Sequence, residues 1–227
     1  MSRDQPVAGD RYRAQGAEAE SEPGSRGRVL RNLLGIKSVR EMARRESEAL
    51  LTTSERLIDD TDQEHRFTAV DVCAMHRLWL GRIYAWAGAY RQVNLAKGDF
   101  PFAAANLIPR LMHDFERGPL REFTPCRFAD PAGQAHALAV VHAELILIHP
   151  FREGNGRCAR LLALLMGLQA GLPALDFGGI RGAERRRYFA AVQAALDRNY
   201  APMTAVFARV VARTTRRRAS ASRGICS

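Results

Sequence analysis

Apolar positions recur at helical spacing over most of the chain, and the pattern predicts a succession of amphipathic helices. The first begins at Ser38 in SVREMARRESEALLTTSERLI, a run of good helix formers with Ser38 as its N-cap. In the second, FTAVDVCAMHRLWLGRIYAWAG, Thr68 is the cap. It places Val72, Met75, Leu78 and Trp79 on one face and should stop at Gly88. Helical spacing returns over 104–117, where Leu107, Leu111 and Phe115 lie four residues apart. It returns again over 130–148, where Pro131 suits a first turn. Three more patterns cover 156–170, 181–196 and 202–213. Only around Val93 and Leu95 does the period drop to two. With Lys97, Gly98, Asp99, Phe100, Pro101 and Phe102 this predicts one short hairpin, Gly98-Asp99 at its tip. The expected class is mainly α, a helical bundle with a small β element and no internal repeat.

Composition sets the limits of this picture. Residues 1–27 are rich in Gly, Glu, Ser, Arg and Pro without apolar periodicity, so they are expected to form a flexible arm. Residues 28–213 are read as one domain and 214–227 as a basic flexible tail. With 47% apolar and 26% charged residues the body can bury a core without disulfides or structural metal. The four cysteines (Cys73, Cys126, Cys158, Cys226) are scattered without a CxxC pair, as in a reduced compartment. The apolar run 161–166 is too short to span a bilayer, and the N-terminus lacks the apolar core of a secretory signal. A cytoplasmic location without a transmembrane segment is therefore expected. The net charge of +10 owes more than half to six arginines in RVVARTTRRRASASRGICS, which holds no acid. Such a tail suits nucleic acid, a membrane surface or an acidic partner alike, and nothing in the body requires nucleic acid.

The chemistry gathers where apolar sequence is interrupted. HPFREGNGRCAR, residues 149–160, lies between AVVHAELILI and LLALLMGLQAG. Pro150 ends one helix, and EGNG forms the entry to the next. The unpaired N–H groups and dipole of that entry suit an anion. Gly154 and Gly156 let a ligand approach the backbone, and Arg157 and Arg160 share one face of the new helix. A lone carboxylate, Glu153, among bound phosphates is the arrangement that Mg²⁺ favours. His149 can take a proton near neutral pH. Taken singly, His149 is a helix-ending residue, Asn155 an N-cap, the glycines a turn and the arginines a solvated face. Their coincidence in twelve residues instead describes phosphoryl or nucleotidyl transfer by positioning and charge stabilisation. His142, seven residues before His149, is read as a core or supporting residue. His76, His113 and His136 are assigned surface or helix-packing roles. Trp79, Tyr84 and Trp86 are expected to pack the base of the hairpin.

The same twelve residues resemble the signature of Fic-domain proteins, H-P-F-x-[D/E]-G-N-G-R-x-x-R, matching every specified position. VLRNLLGI at 29–36 and IYAWAGAYRQVNLAKGDFPFA at 83–103 extend the resemblance to Fic domains of the bacterial toxin and effector type. It implies a mostly α-helical Fic fold and transfer of AMP from ATP to a Tyr, Thr or Ser hydroxyl of a target protein. By this resemblance His149 is the base and Glu153 holds Mg²⁺. Gly154, Asn155 and Gly156 hold the phosphates, Arg157 stabilises the leaving pyrophosphate and Arg160 reaches the γ-phosphate. Phe151 anchors the loop. The hairpin 97–102 is the flap on which an extended target segment adds as a strand. The intact GNGR favours adenylylation over the phosphotransfer of the related Doc kinases. A non-catalytic module that binds nucleotide or nucleic acid is the alternative of another class. Many Fic proteins carry an inhibitory [S/T]-x-x-x-E-[G/N] helix. No Ser or Thr of the 227 residues has Glu four positions on. The resemblance therefore implies a small antitoxin supplying that glutamate in trans, or else an effector delivered into another cell.

Overall fold

A computed structural model of the chain describes residues 13, 14, 18 and 20–223. Among the described residues three short strands, β1 (Arg13–Ala14), β2 (Leu95–Lys97) and β3 (Phe100–Pro101), accompany eight α-helices. These are α1 (Val39–Asp60), α2 (Ala69–Leu80), α3 (Ile108–Phe115), α4 (Arg121–Phe123), α5 (Pro131–Ile148), α6 (Asn155–Gln169), α7 (Gly182–Ala194) and α8 (Ala201–Arg223). The mainly α class and the hairpin stand as read from the sequence. The chain forms two compact units that interleave along it. No linker composition marks them, because the chain passes between them several times. One unit comprises Met1–Asp60, Ala69–Met112 and Ile148–Asn155; the other comprises Thr61–Thr68, His113–Leu147 and Gly156–Ser227.

In the first unit α1 packs on α2 around Val29, Ile36, Met42, Trp79, Leu80, Ile83, Tyr84 and Ala87. Only Met42, Glu46 and Thr53 of α1 are buried, so local terms support this helix as well as packing. Ser38 Oγ accepts the Glu41 N–H at 3.4 Å, and Arg44–Glu48 and Arg56–Asp60 bond at i,i+4. Buried Glu46 accepts from Tyr84 Oη at 2.7 Å, and its carbonyl from Trp79 Nε1 at 2.8 Å. Trp79 and Tyr84 thus belong to the α1–α2 core, with Trp86 packed against it, and not to the base of the flap. The flap has its own small cluster of Val93, Leu95 and Phe102. Leu78, expected on the buried face of α2, is 39% exposed. The helix ends at Leu80, eight residues before Gly88, and a turn-rich segment intervenes.

Strand order is β1-β2-β3, all antiparallel, with Ala96 opposite Pro101 and Lys97 opposite Phe100. Gly98, at φ +61°, turns the hairpin. Arg13 and Ala14 pair with Ala96 and Leu95 on the outer edge of β2. Farther along the stretch read as a flexible arm, Ser21 bridges to Leu30 and Ser25 is buried. The rest of that expectation, for residues 1–12, 15–17 and 19, lies outside the described residues.

In the second unit most of α5 and α6 is apolar and buried, as in core helices, with Arg160 exposed near the head of α6. α5 is long and apolar enough to cross a membrane by length and composition, but 67% of it is buried within the fold. Asp130 caps it, its carboxylate accepting the Gly133 N–H at 2.8 Å, and Pro131 occupies the first turn as expected. The pattern over 104–117 becomes a 3-10 turn, then α3, then a π turn at Glu116–Leu120 that contains Pro119. Ile108, Met112 and Phe115 carry its buried face, while Leu107 is 46% exposed. The tail expected from 214 is helical: α8 continues to Arg223. Ala and Arg favour a helix and no Gly or Pro interrupts before Gly224. Thr214 is buried and accepts the Asp176 N–H at 2.9 Å, and Arg213 and Arg217 both bond the Asp176 carboxylate at 2.7 Å.

Candidate active site

Residues 149–155 belong to the first unit and leave α5 by a sharp reversal. His149 sits at φ +52°, a left-handed conformation that a β-carbon disfavours by about 1–2 kcal/mol. Such strain persists only where the surroundings over-determine it. Here they do. Phe151 is fully buried and stacks on His76 with ring centroids 3.8 Å apart. Asn155 Oδ1 accepts the Phe151 N–H at 2.8 Å, and its Nδ2 donates to the Phe151 carbonyl at 2.7 Å. The Asn155 side chain is therefore committed to the loop, and its backbone N–H is what it offers an anion. His76 Nδ1 accepts the Gly88 N–H at 2.9 Å, which assigns the proton to Nε2, 3.0 Å from the Glu153 carbonyl. At Gly154, φ is +85° and an added Cβ would lie 2.7 Å from Trp79 Cζ3. Only glycine fits there. The half-buried Glu153 carboxylate accepts the Gly154 N–H at 2.9 Å.

The flap meets this loop through two side chains. Phe102 stacks on the His149 ring at 3.6 Å, with 17° between planes, and His149 is 2% exposed. Arg91, 1% exposed, donates from Nε to the His149 carbonyl at 2.8 Å and from Nη1 to Val93 at 2.5 Å. Its Nη2 reaches the carbonyls of Ala103 at 2.6 Å and Ile148 at 3.5 Å, and its backbone N–H that of Pro150 at 2.9 Å. Burial pulls its pKa down to about 10, opposed by the Glu18 carboxylate, so the guanidinium stays charged at neutral pH. Lys97, Gly98, Asp99, Phe100 and Pro101 are half-buried or exposed on the hairpin.

The second unit holds Gly156–Arg160, the first turns of α6 after Asn155. The early N–H groups of a helix have no partner within it. An added Cβ at Gly156 would meet only Arg160 Nη2, at 3.8 Å. The fold leaves room for alanine there, in contrast to position 154. Arg160 is exposed and its Nε donates to the Gly156 carbonyl at 3.1 Å; Arg157 is half-buried. Behind them His142 is buried, with Nε2 and Tyr188 Oη 2.8 Å apart. Burial pulls the His142 pKa down to about 3, the Arg160 charge adding to this, so the imidazole is neutral. Burial likewise pushes Tyr188 up to about 12.

Within the first unit the structure brings together His149, Glu153, Gly154, Asn155 and the flap residue Phe102. Within the second it sets Gly156, Arg157 and Arg160 on one helix end. Among the described residues no three His, Cys, Asp or Glu side chains converge as a metal cage. The sequence reading missed Arg91, and it gave His76 no role in the loop. It also passed over Arg152, 1% exposed, which donates to the Glu18 carbonyl at 2.9 Å. The signal for Arg91 and His76 was weak because their loop partners lie 58 and 77 residues away.

The sequence profile of the Fic/DOC family matches residues 66–166. Protein adenylyltransferase VbhT of Bartonella schoenbuchensis is 32% identical over 148 residues, 63% of this chain and 30% of its own length. Protein adenylyltransferase Fic of Nematostella vectensis is 31% identical over 175 residues, 75% of this chain and 36% of its own. The chain thus spans about a third of the length of these two relatives. The crystal structure of BepC, a VirB-translocated effector protein of Bartonella tribocorum with bound AMPPNP, matches at a TM-score of 0.64. That match covers 80% of this chain and 91% of the other at 23% identity, a likeness of fold.

Proposed function

The chain belongs to the Fic/DOC family through residues 66–166, and on that premise we propose that it is a Mg²⁺-dependent protein adenylyltransferase using ATP. The observation that carries the reading is the complete HPFREGNGRCAR stretch, folded as a strained loop entering a helix N-terminus. His149 takes the proton of a target hydroxyl as its oxygen attacks the α-phosphorus of ATP. The bond to the β-phosphate oxygen breaks, pyrophosphate leaves, and AMP remains on the target. The N–H groups at the head of α6 and Arg157 stabilise the charge on the phosphates, and Arg160 holds the γ-phosphate. One carboxylate beside bound phosphates suits a cation that keeps water and phosphate oxygens as ligands. Glu153 would hold Mg²⁺, which would supply neutralisation of the phosphate charge. The AMPPNP in BepC supports a nucleotide in a fold of this kind.

The flap supports the choice of substrate. Of the two hairpin strands β3 is the one with an open edge, since β1 covers the outer edge of β2. An extended target segment adds to β3, and Phe102 lifts from His149 to admit the hydroxyl. The reading includes inhibition in trans, because Arg160 meets no [S/T]-x-x-x-E-[G/N] glutamate within the 227 residues. A small partner protein bearing that pattern is expected to suppress transfer on co-expression; undiminished transfer in its presence would overturn that part. ATP labelled separately at the α- and γ-phosphates tests the reaction itself. Label from the α-position alone on a protein supports adenylylation, and γ-label on a protein would replace it with phosphotransfer. Nucleotide binding without transfer of either label would reduce the chain to a binding module.

A further inference from the structure

Arg91 is the residue that most needs an explanation the loop motif does not give. A guanidinium buried to 1% exposure is costly unless its donors are satisfied. Its partners are all backbone carbonyls, and they fall on two segments far apart in sequence. Val93 and Ala103 flank the hairpin, one just before β2 and one just after β3. Ile148 and His149, with Pro150 through the Arg91 backbone N–H, belong to the strained reversal. One side chain therefore closes both ends of the flap and fastens them to the residue at φ +52°. Hydrogen bonds from a charged donor are stronger than neutral ones, and the planar fork fixes direction as well as distance. Phe102 completes the join from the flap side by stacking on the His149 ring.

We propose that Arg91 is a positioning residue that locks the flap to the His149 loop, so that a target segment docked on the flap arrives in register with the imidazole. The inference rests on the adenylyltransferase reading for its purpose, but the lock itself is a structural claim. It makes Arg91 act through His149 and the flap, without touching nucleotide or target. Lysine in its place keeps the charge but loses the fork, so it reaches one segment or the other and not both.

Three measurements test this. In the wild-type chain, NMR with labelled arginine should find the Arg91 Nε–H exchanging far more slowly than that of an exposed arginine such as Arg186. Rapid exchange would overturn the lock, whatever any variant does. In Arg91→Lys, hydrogen exchange should rise together over 95–103 and 149–151 while peptides of α7 and α8 keep their protection. A rise in one segment alone, or a uniform rise across the chain, would contradict it. With a target in hand, Arg91→Lys should lower kcat by about a hundredfold, the scale of a small misplacement of reacting groups, at unchanged AMPPNP affinity. Equal loss of nucleotide affinity would instead make Arg91 part of nucleotide binding. If the wild type transfers no label at all, the adenylyltransferase reading falls while the two exchange measurements still decide the role of Arg91.

Discussion

Gly154 and Gly156 stand two positions apart and are glycine for different reasons. An added Cβ at 154 meets the Trp79 ring at 2.7 Å on a backbone at φ +85°, whereas one at 156 makes only an ordinary contact of 3.8 Å with the end of the Arg160 side chain. Gly154→Ala is therefore expected to destabilise the fold by about 2–4 kcal/mol in urea unfolding. Gly156→Ala should leave stability unchanged or slightly raised but weaken AMPPNP binding, because the methyl faces the anion at the helix entry. Equal stabilities for the two variants would contradict this division. His142 gives a test in pH. Its folded pKa of about 3 lies below the ordinary 6.5, so between these values the unfolded chain binds a proton that the folded chain does not. Stability must then fall as pH drops below about 6.5, with the loss continuing towards pH 3. His142→Gln should flatten the slope of unfolding free energy against pH in that window by up to about 1.4 kcal/mol per unit. Identical slopes would place the acid sensitivity elsewhere.

Among the elements, those with strong local signals were legible and those set by packing were not. Capped starts at Ser38 and Pro131 and the Gly98-Asp99 turn were readable from composition, since each depends on neighbours within a few residues. Apolar spacing misassigned Leu78 and Leu107, because which face meets a core is decided by residues far along the chain. α8 was read ten residues short, at 213 instead of Arg223, because an arginine-rich composition was taken for a solvated tail. Truncation after Arg213 should consequently lower the melting temperature measurably, as it removes the Thr214 and Arg217 bonds to Asp176. Truncation after Arg217 should not, and comparable melting temperatures for both would return 214–217 to the status of a tail. In the flap, Phe102→Ala should speed modification of His149 by diethyl pyrocarbonate, since the stacked ring covers the imidazole. An unchanged rate would mean that Phe102 does not shield it.

Across the molecule, the twelve-residue loop was legible because its chemistry is contiguous: base, carboxylate, glycines and arginines follow one another in the chain. What holds it was not. Arg91, His76 and Glu46 look like ordinary polar residues in sequence and become supports only through partners 58, 77 and 38 positions away. The two compact units were equally hidden, since each is assembled from three separate segments. Function at this scale rests on whether the loop does chemistry at all. The most direct measurement compares transfer of α-labelled ATP to proteins of the native host by the wild-type chain and by His149→Ala. Label on protein with the wild type, and none with a His149→Ala chain that still binds AMPPNP, is the predicted result. Equal labelling by the two, or none by either under any partner or metal condition, would contradict the assignment of His149 as the base of an adenylyl transfer.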